Sequence, residues 1–297
     1  MLARAWQGDS GVFPKLIALA NEGGRPAILR ATATLELGSF PSQETLAAIQ
    51  PQLNSEDALV RGAAIRALDP MQAPQRYSLL QPLIVDPVKS VRMEVARQLS
   101  ELQMAQLPPE YAQELNSLRD EYLQTLKLNA DMPETQMNLG IYYAATGDPL
   151  AAEAAYRHAI QLSPAFIPAT LNLADLYRAN GMDAQATPLI EKAIKSAPLD
   201  PAAHHAIGLL LIRQGKLDEA VTYLGKAAEL DSLNIRYTYV YAVSIFESGQ
   251  QASAIAVLEA AIQKQPDNRE LVSALASYYQ QLGHDEKLQE LIRKHTQ

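Results

Sequence analysis

"MNLGIYYAATGDPLAAEAAYRHAIQLSP", residues 137–164, decides the fold. Gly147 sits near its centre, and a glycine returns at 181, 215, 249 and 283, each time after 34 residues. Tyr143, Tyr177, Leu211, Ile245 and Tyr279 precede these glycines by four positions. Ala152, Ala186, Ala220 and Ala254 follow by five, and Ala159, Ala193, Ala227 and Ala261 by twelve. Between them Tyr156, Ile190, Leu224, Leu258 and Ile292 follow by nine. Pro164, Pro198 and Pro266 close their units, with Ser232 in the matching place. The spacing predicts two antiparallel helices per unit. Glycine takes the left-handed turn at least cost, alanine lets the helices approach, and a large residue fills the space beside it. Proline ends the second helix and starts the next unit. One such pair cannot bury its apolar face, but stacked pairs can.

This skeleton resembles the tetratricopeptide repeat (TPR). Four units run near 133–166, 167–200, 201–234 and 235–268; a fifth, 269–297, has Leu288 and His295 where alanines are expected. Where the family often carries a tryptophan in the first helix, this chain has Gln136, Thr170, His204, Thr238 and Val272. The resemblance implies a right-handed superhelix whose concave face is lined by the first helix of each unit.

Upstream of this array the period changes. Arg30, Arg61 and Arg92 recur every 31 residues, each after an aliphatic residue and each followed seven positions on by Leu37, Leu68 or Leu99. "EDALVRGAAIRAL" and "DPVKSVRMEVARQL" look like second helices of short HEAT repeats, with "VFPKLIALANE", "QETLAAIQPQL" and "RYSLLQPLIV" as first helices. The arginines invite a phosphate-ladder reading, but the resemblance implies a structural one: such an arginine bonds an acidic residue or carbonyls of the neighbouring repeat. Asp57 and Asp86 stand just ahead of Arg61 and Arg92. The expected class is therefore an all-α α-solenoid: HEAT-like repeats over 1–105, a connecting segment over 106–132, and a TPR array over 133–297. In the connection Pro108 and Pro109 stop one system, and a helix over about 110–129 follows. Tyr122, Leu126 and Leu128 stand 34 before Tyr156, Ile160 and Leu162, so it reads as the second helix of a degenerate leading unit. Ahead of the first HEAT helix, "LARAWQ" holds the only tryptophan, Trp6, expected to pack on that helix as the edge of an upstream domain.

Composition narrows the function. Apolar residues make up 48%, enough for a sizeable core, and no apolar run is long enough for a membrane span. The net charge of −8 falls entirely after residue 105, and no basic run exists, which argues against nucleic acid. Cysteine is absent, so disulfides, thiolate metal sites and covalent c-type haem are excluded in these residues. His158, His204, His205, His284 and His295 show no metal-ligand spacing, and adjacent His204 and His205 point about 100° apart on a helix. "NEGGRP" lacks the strand and Lys-Ser/Thr ending of a phosphate loop. We expect no catalysis, cofactor or metal.

The concave face is the candidate site. The resemblance assigns it Met137, Asn138 and Ile141 in the first unit, and Leu171, Asn172, Asp175 and Arg178 in the second. His205, Leu209, Ile212 and Arg213 follow in the third, and Arg236, Tyr239, Val243, Phe246 and Glu247 in the fourth. Asn138 and Asn172 hold the position whose amide bonds a peptide backbone in the family. Leu209, Ile212, Tyr239 and Phe246 are expected to form one apolar patch, and such patches are interfaces. The Lys/Asn clamp that some TPR proteins use for a terminal carboxylate is absent: Met137, Ile141, Ala202 and Ala206 occupy its key places.

The expected function is a non-catalytic protein-interaction scaffold that binds a peptide or a partner's surface. The order of HEAT and TPR segments also resembles the C-terminal region of bacterial multihaem c-type cytochromes. That likeness implies a periplasmic accessory arm beside a haem-bearing domain upstream, with no haem ligand in these residues. A cytoplasmic assembly factor is the remaining alternative.

Overall fold

A computed structural model of the chain describes residues 10–40, 42–102, 107–266 and 268–295. Trp6 lies outside them. All regular structure among these residues is helical, seventeen α-helices with short 3-10 turns. The chain packs as two compact units, Met1–Ser163 and Pro164–Gln297.

The first unit begins with three HEAT-like pairs: α1 (Phe13–Asn21) with α2 (Ala27–Leu37), α3 (Gln43–Ile49) with α4 (Ala58–Ala67), and α5 (Ala73–Leu80) with α6 (Lys89–Gln98). Pro51 and Pro82 turn the tails of α3 and α5 into 3-10 helix, over Gln50–Asn54 and Gln81–Leu83. Then come α7 (Pro109–Leu128), α8 (Pro133–Ala145) and α9 (Pro149–Leu162). One continuous core runs from Val12 and Leu16 through Ile65, Leu99 and Leu115 to Leu139 and Ala155. The connecting helix α7 is therefore packed on both sides.

The arginines form a ladder between repeats. Arg61 donates from Nε and Nη2 to Asp86 at 2.8 and 2.9 Å, and from Nη1 to the Ser55 and Glu56 carbonyls. Arg92 makes the same fork to Glu121 on α7, at 2.6 and 2.9 Å, and reaches the Asp86 carbonyl. Arg30, which meets no carboxylate among the described residues, donates to the Ala20 carbonyl and the Gln52 amide oxygen. The carboxylate thus comes from the turn of the following repeat for Arg61 and from the connecting helix for Arg92. Asp57 instead caps α4 through the Leu59 N–H. A second arginine fastens α7: buried Arg119 gives Nη2 to the Leu99, Ser100 and Leu102 carbonyls at 2.7–2.8 Å, satisfying the open C-terminal end of α6. Tyr122 and Leu126 are buried, and Leu128, like Leu162 34 residues on, is exposed at the last position of its helix.

The second unit holds four helix pairs: α10 (Ile167–Ala179) with α11 (Asp183–Ser196), α12 (Pro201–Arg213) with α13 (Leu217–Leu230), α14 (Ile235–Glu247) with α15 (Gln251–Lys264), and α16 (Arg269–Gln281) with α17 (Asp285–His295). Each first helix, α8 included, ends in the same turn. Gly147, Gly181, Gly215, Gly249 and Gly283 have φ between +68° and +85°, and no other described residue has positive φ. The residue after each glycine donates its N–H to the carbonyl five back: Asp148 to Tyr143 at 2.8 Å, Met182 to Tyr177 at 2.8 Å, Lys216 to Leu211 at 2.9 Å, Gln250 to Ile245 at 3.0 Å, His284 to Tyr279 at 2.8 Å. These are Schellman caps. Above the turn the helices touch through a small residue. A Cβ on Gly140 would lie 2.4 Å from the Tyr156 ring, and one on Gly208 would lie 2.5 Å from Leu224.

Two glycine classes should therefore respond differently. Gly215→Ala has open space and pays only for the left-handed backbone, so urea unfolding should show a loss of about 1 kcal/mol, with Gly215→Asn milder. Gly140→Ala should lose about 1–3 kcal/mol through overpacking, and adding Tyr156→Ile, which copies the Ala174–Ile190 pairing of the next unit, should recover part of it. In the ladder, the Arg61 and Asp86 side chains are 9% and 4% exposed. Asp86→Ala strands a buried guanidinium and should cost about 3 kcal/mol or more. Lys226→Ala, from an exposed pair with Glu229, should stay within about 0.5 kcal/mol in the same assay.

Candidate interaction surface

The predicted site residues divide between the two units. Met137 and Asn138 are half-buried on α8, and Ile141 is exposed. The remainder lie on α10, α12 and α14 of the second unit.

On α10, Leu171 is buried, Asn172 half-buried and Asp175 exposed. Arg178 folds back on its own helix and donates to Asp175 Oδ1 from Nε at 3.1 Å and Nη2 at 3.0 Å. On α12, Leu209 is half-buried and Ile212 exposed, and Arg213 reaches Asp183 of α11 at 3.2 Å. On α14, Arg236 is exposed, and Tyr239 and Val243 are half-buried. Arg236 has no ion pair among the described residues, so the three groove arginines are not equivalent.

Phe246 departs from the expected exposed patch. It is only 8% exposed, and its ring stacks on Tyr278 of α16 with centroids 3.8 Å apart and planes at 13°. Tyr239 packs against the same cluster. Burial, with Tyr239 and Glu247 nearby, pushes the Tyr278 hydroxyl up to about 12, so it stays protonated. Phe246 is spent on the joint between α14 and α16, which leaves Leu209, Ile212, Tyr239 and Val243 as the accessible apolar part.

The two histidines behave differently from each other, as their angular separation requires. His204 donates Nε2–H to the Pro198 carbonyl at 2.8 Å and lies over Tyr223. Gln136 does the same job in the first unit, donating to the Ala130 carbonyl at 2.6 Å. In two of the five units, the position where tryptophan is absent thus carries a tether to the preceding loop. His205 has no such bond. It is 7% exposed, its ring lies 4.7 Å from that of Tyr237, and neither ring nitrogen has a hydrogen-bond partner. Burial chiefly, then Arg236 and Arg178 against an opposing Asp175, pulls its pKa from 6.5 to about 4. It is a neutral imidazole at neutral pH.

Tyr237 and Tyr278 were not singled out by the repeat positions. Tyr237 carried a signal, since units two and three have Ala169 and Ala203 in its place. Tyr278 carried none, because only its stacking on Phe246 brings it into the surface. Among the described residues no three His, Asp or Glu side chains converge as a metal site, and no helix is long and apolar enough to cross a membrane. The surface can bury apolar side chains and pair with polar ones.

Against protein-family models, residues 13–100 match HEAT repeats, and residues 143–210 and 205–269 each match tetratricopeptide repeats. No curated protein matches the chain. Among solved structures, a crystal structure of MamA is 18% identical with a TM-score of 0.46, covering 55% of this chain and 88% of its own. YrrB, titled a TPR protein with an unusual peptide-binding site, is 18% identical with a TM-score of 0.44, covering 58% and 88%. PilF of Pseudomonas aeruginosa is 17% identical with a TM-score of 0.49, covering 55% and 75%. The chain is an α-solenoid that carries HEAT and then TPR repeats.

His205 makes the surface sensitive to acid. Its folded pKa lies below its unfolded value, so below about pH 6.5 the unfolded chain takes up a proton that the folded chain refuses. Stability should fall progressively from about pH 6.5 toward pH 4, by as much as about 3 kcal/mol in total. Glu121, held below the carboxylate range by its bond to Arg92, acts in the same direction only at lower pH. Urea midpoints between about pH 7 and pH 5 therefore isolate the histidine. His205→Phe, which can keep the ring contact, should flatten that slope; an unchanged slope would assign it elsewhere.

Proposed function

We propose that this chain, HEAT repeats followed by TPR repeats, is a non-catalytic interaction scaffold that binds a peptide or a partner's surface across the first helices of its second unit. One observation carries the reading. On α12 and α14, Ile212 and Arg236 are exposed and Leu209, Tyr239 and Val243 half-buried, beside His205, whose ring nitrogens have no hydrogen-bond partner. The large residues nine positions after the turn glycine are enclosed in the first three pairs of the unit, Ile190, Leu224 and Leu258, while Ile292 in the last pair is 46% exposed. Arginine and tyrosine beside aliphatic side chains are what protein interfaces concentrate at their centres.

A displayed library of random dodecapeptides tests this without a known partner. Selected peptides should bind the wild-type chain and lose at least tenfold with Leu209→Asp/Val243→Asp, at two half-buried positions. Leu199→Asp, at a 73% exposed site between α11 and α12, should bind as wild type does. Far-UV circular dichroism checks that both variants remain helical. Equal binding by all three would remove the surface from the function.

A further inference from the structure

We infer, building on the scaffold reading, that the ligand is a peptide segment with an acidic side chain, and that Arg236 takes its carboxylate beside His205. The first argument is vacancy by comparison. Arg178 is occupied by Asp175 and Arg213 by Asp183, each within 3.2 Å. Arg236 stands on the same series of helices, exposed, with no carboxylate among the described residues. Two acids lie near its neighbour Tyr237, but neither pairs with it: Asp200 caps α12 through the Ala203 N–H, and Asp231 closes α13.

The second argument is the imidazole. His205 is more than nine-tenths buried, and both ring nitrogens lack a partner, which costs about 1–3 kcal/mol wherever it occurs. The charges that reach it come from Arg236 on α14 and from Asp175 and Arg178 on α10. It therefore sits between three successive first helices, next to the unpaired guanidinium. A neutral imidazole keeps one N–H to donate, and a carboxylate has more acceptor sites than one arginine fills. Pairing at Arg236 needs no rearrangement. Both His205 ring nitrogens are enclosed, so a carboxylate reaches the N–H only when the surrounding side chains move.

The third argument is charge. The first helices α10, α12 and α14 carry three arginines against two carboxylates, Asp175 and Glu247. The second helices α11, α13 and α15 carry four lysines against six carboxylates. An acidic segment is thus drawn to the first-helix side and turned away from the other. Guanidinium suits this role because its planar fork takes a carboxylate through two bonds.

The experiment is the same dodecapeptide selection, run in parallel on wild type and on Arg236→Glu. Wild-type pools should be enriched in Asp and Glu, and pools from Arg236→Glu should lose that enrichment in favour of Lys and Arg. For one selected acidic peptide, changing its key Glu to Gln should weaken binding at least tenfold at low salt, and Arg236→Lys should retain most of the preference. His205→Phe should weaken the Glu peptide more than the Gln peptide. If selected peptides show no acidic preference but still depend on Leu209 and Val243, the inference fails and the scaffold reading stands. If nothing is selected on any variant, the scaffold reading fails with it.

Discussion

The second unit depends on one backbone event. After each first helix the chain reverses through a glycine at positive φ, and the following N–H bonds the carbonyl five residues back. A left-handed residue costs any other side chain about 1–2 kcal/mol, so the sequence has little freedom there. Because the cap closes at the same register in every pair, each first helix ends at an equivalent residue. Positions such as Asp175, Leu209 and Val243 consequently recur at one place on successive helices. The candidate surface is a by-product of that regularity, made specific by what side chains the recurring positions carry.

The two arrays hold their helices together by different means. In the HEAT part, charge does much of the joining: Arg61 reaches forward to Asp86 and Arg92 to Glu121. In the TPR pairs, a missing Cβ or an alanine meets a large partner, as Gly140 meets Tyr156. The helix α7 combines charge with an aromatic contact. It accepts the last arginine through Glu121, closes the end of α6 with Arg119, and presents Tyr122 edge-on to Tyr142 of α8 at 6.0 Å. A change of repeat type within the first unit therefore leaves its core unbroken.

Features set by the chain's own local geometry were readable from residue spacing. The glycine turns, the helix pairs, both periods and the docked connection all follow from intervals of 34 and 31. What spacing missed depends on the next helix over. Phe246 stands at a position that faces outward in principle, yet Tyr278 of the following pair covers it. The partner of Arg92 came from the connecting helix, four residues away from where the earlier rung's 25-residue step would put it. His205 looked like half of a histidine pair, but its neighbours decide its state: burial beside Tyr237 and Arg236 makes it neutral and leaves it without a partner.

The account rests on the first helices of the second unit being the binding face. Their three arginines, one without an ion pair among the described residues, distinguish them from the second helices, which carry lysines and an excess of carboxylates. The most direct measurement is backbone amide NMR of the whole chain, with and without a selected peptide. The account predicts that shifts concentrate on α10, α12 and α14, largest around His205 and Arg236, while α11, α13 and α15 move little. Shifts centred on the second helices, or on the HEAT repeats, would contradict it.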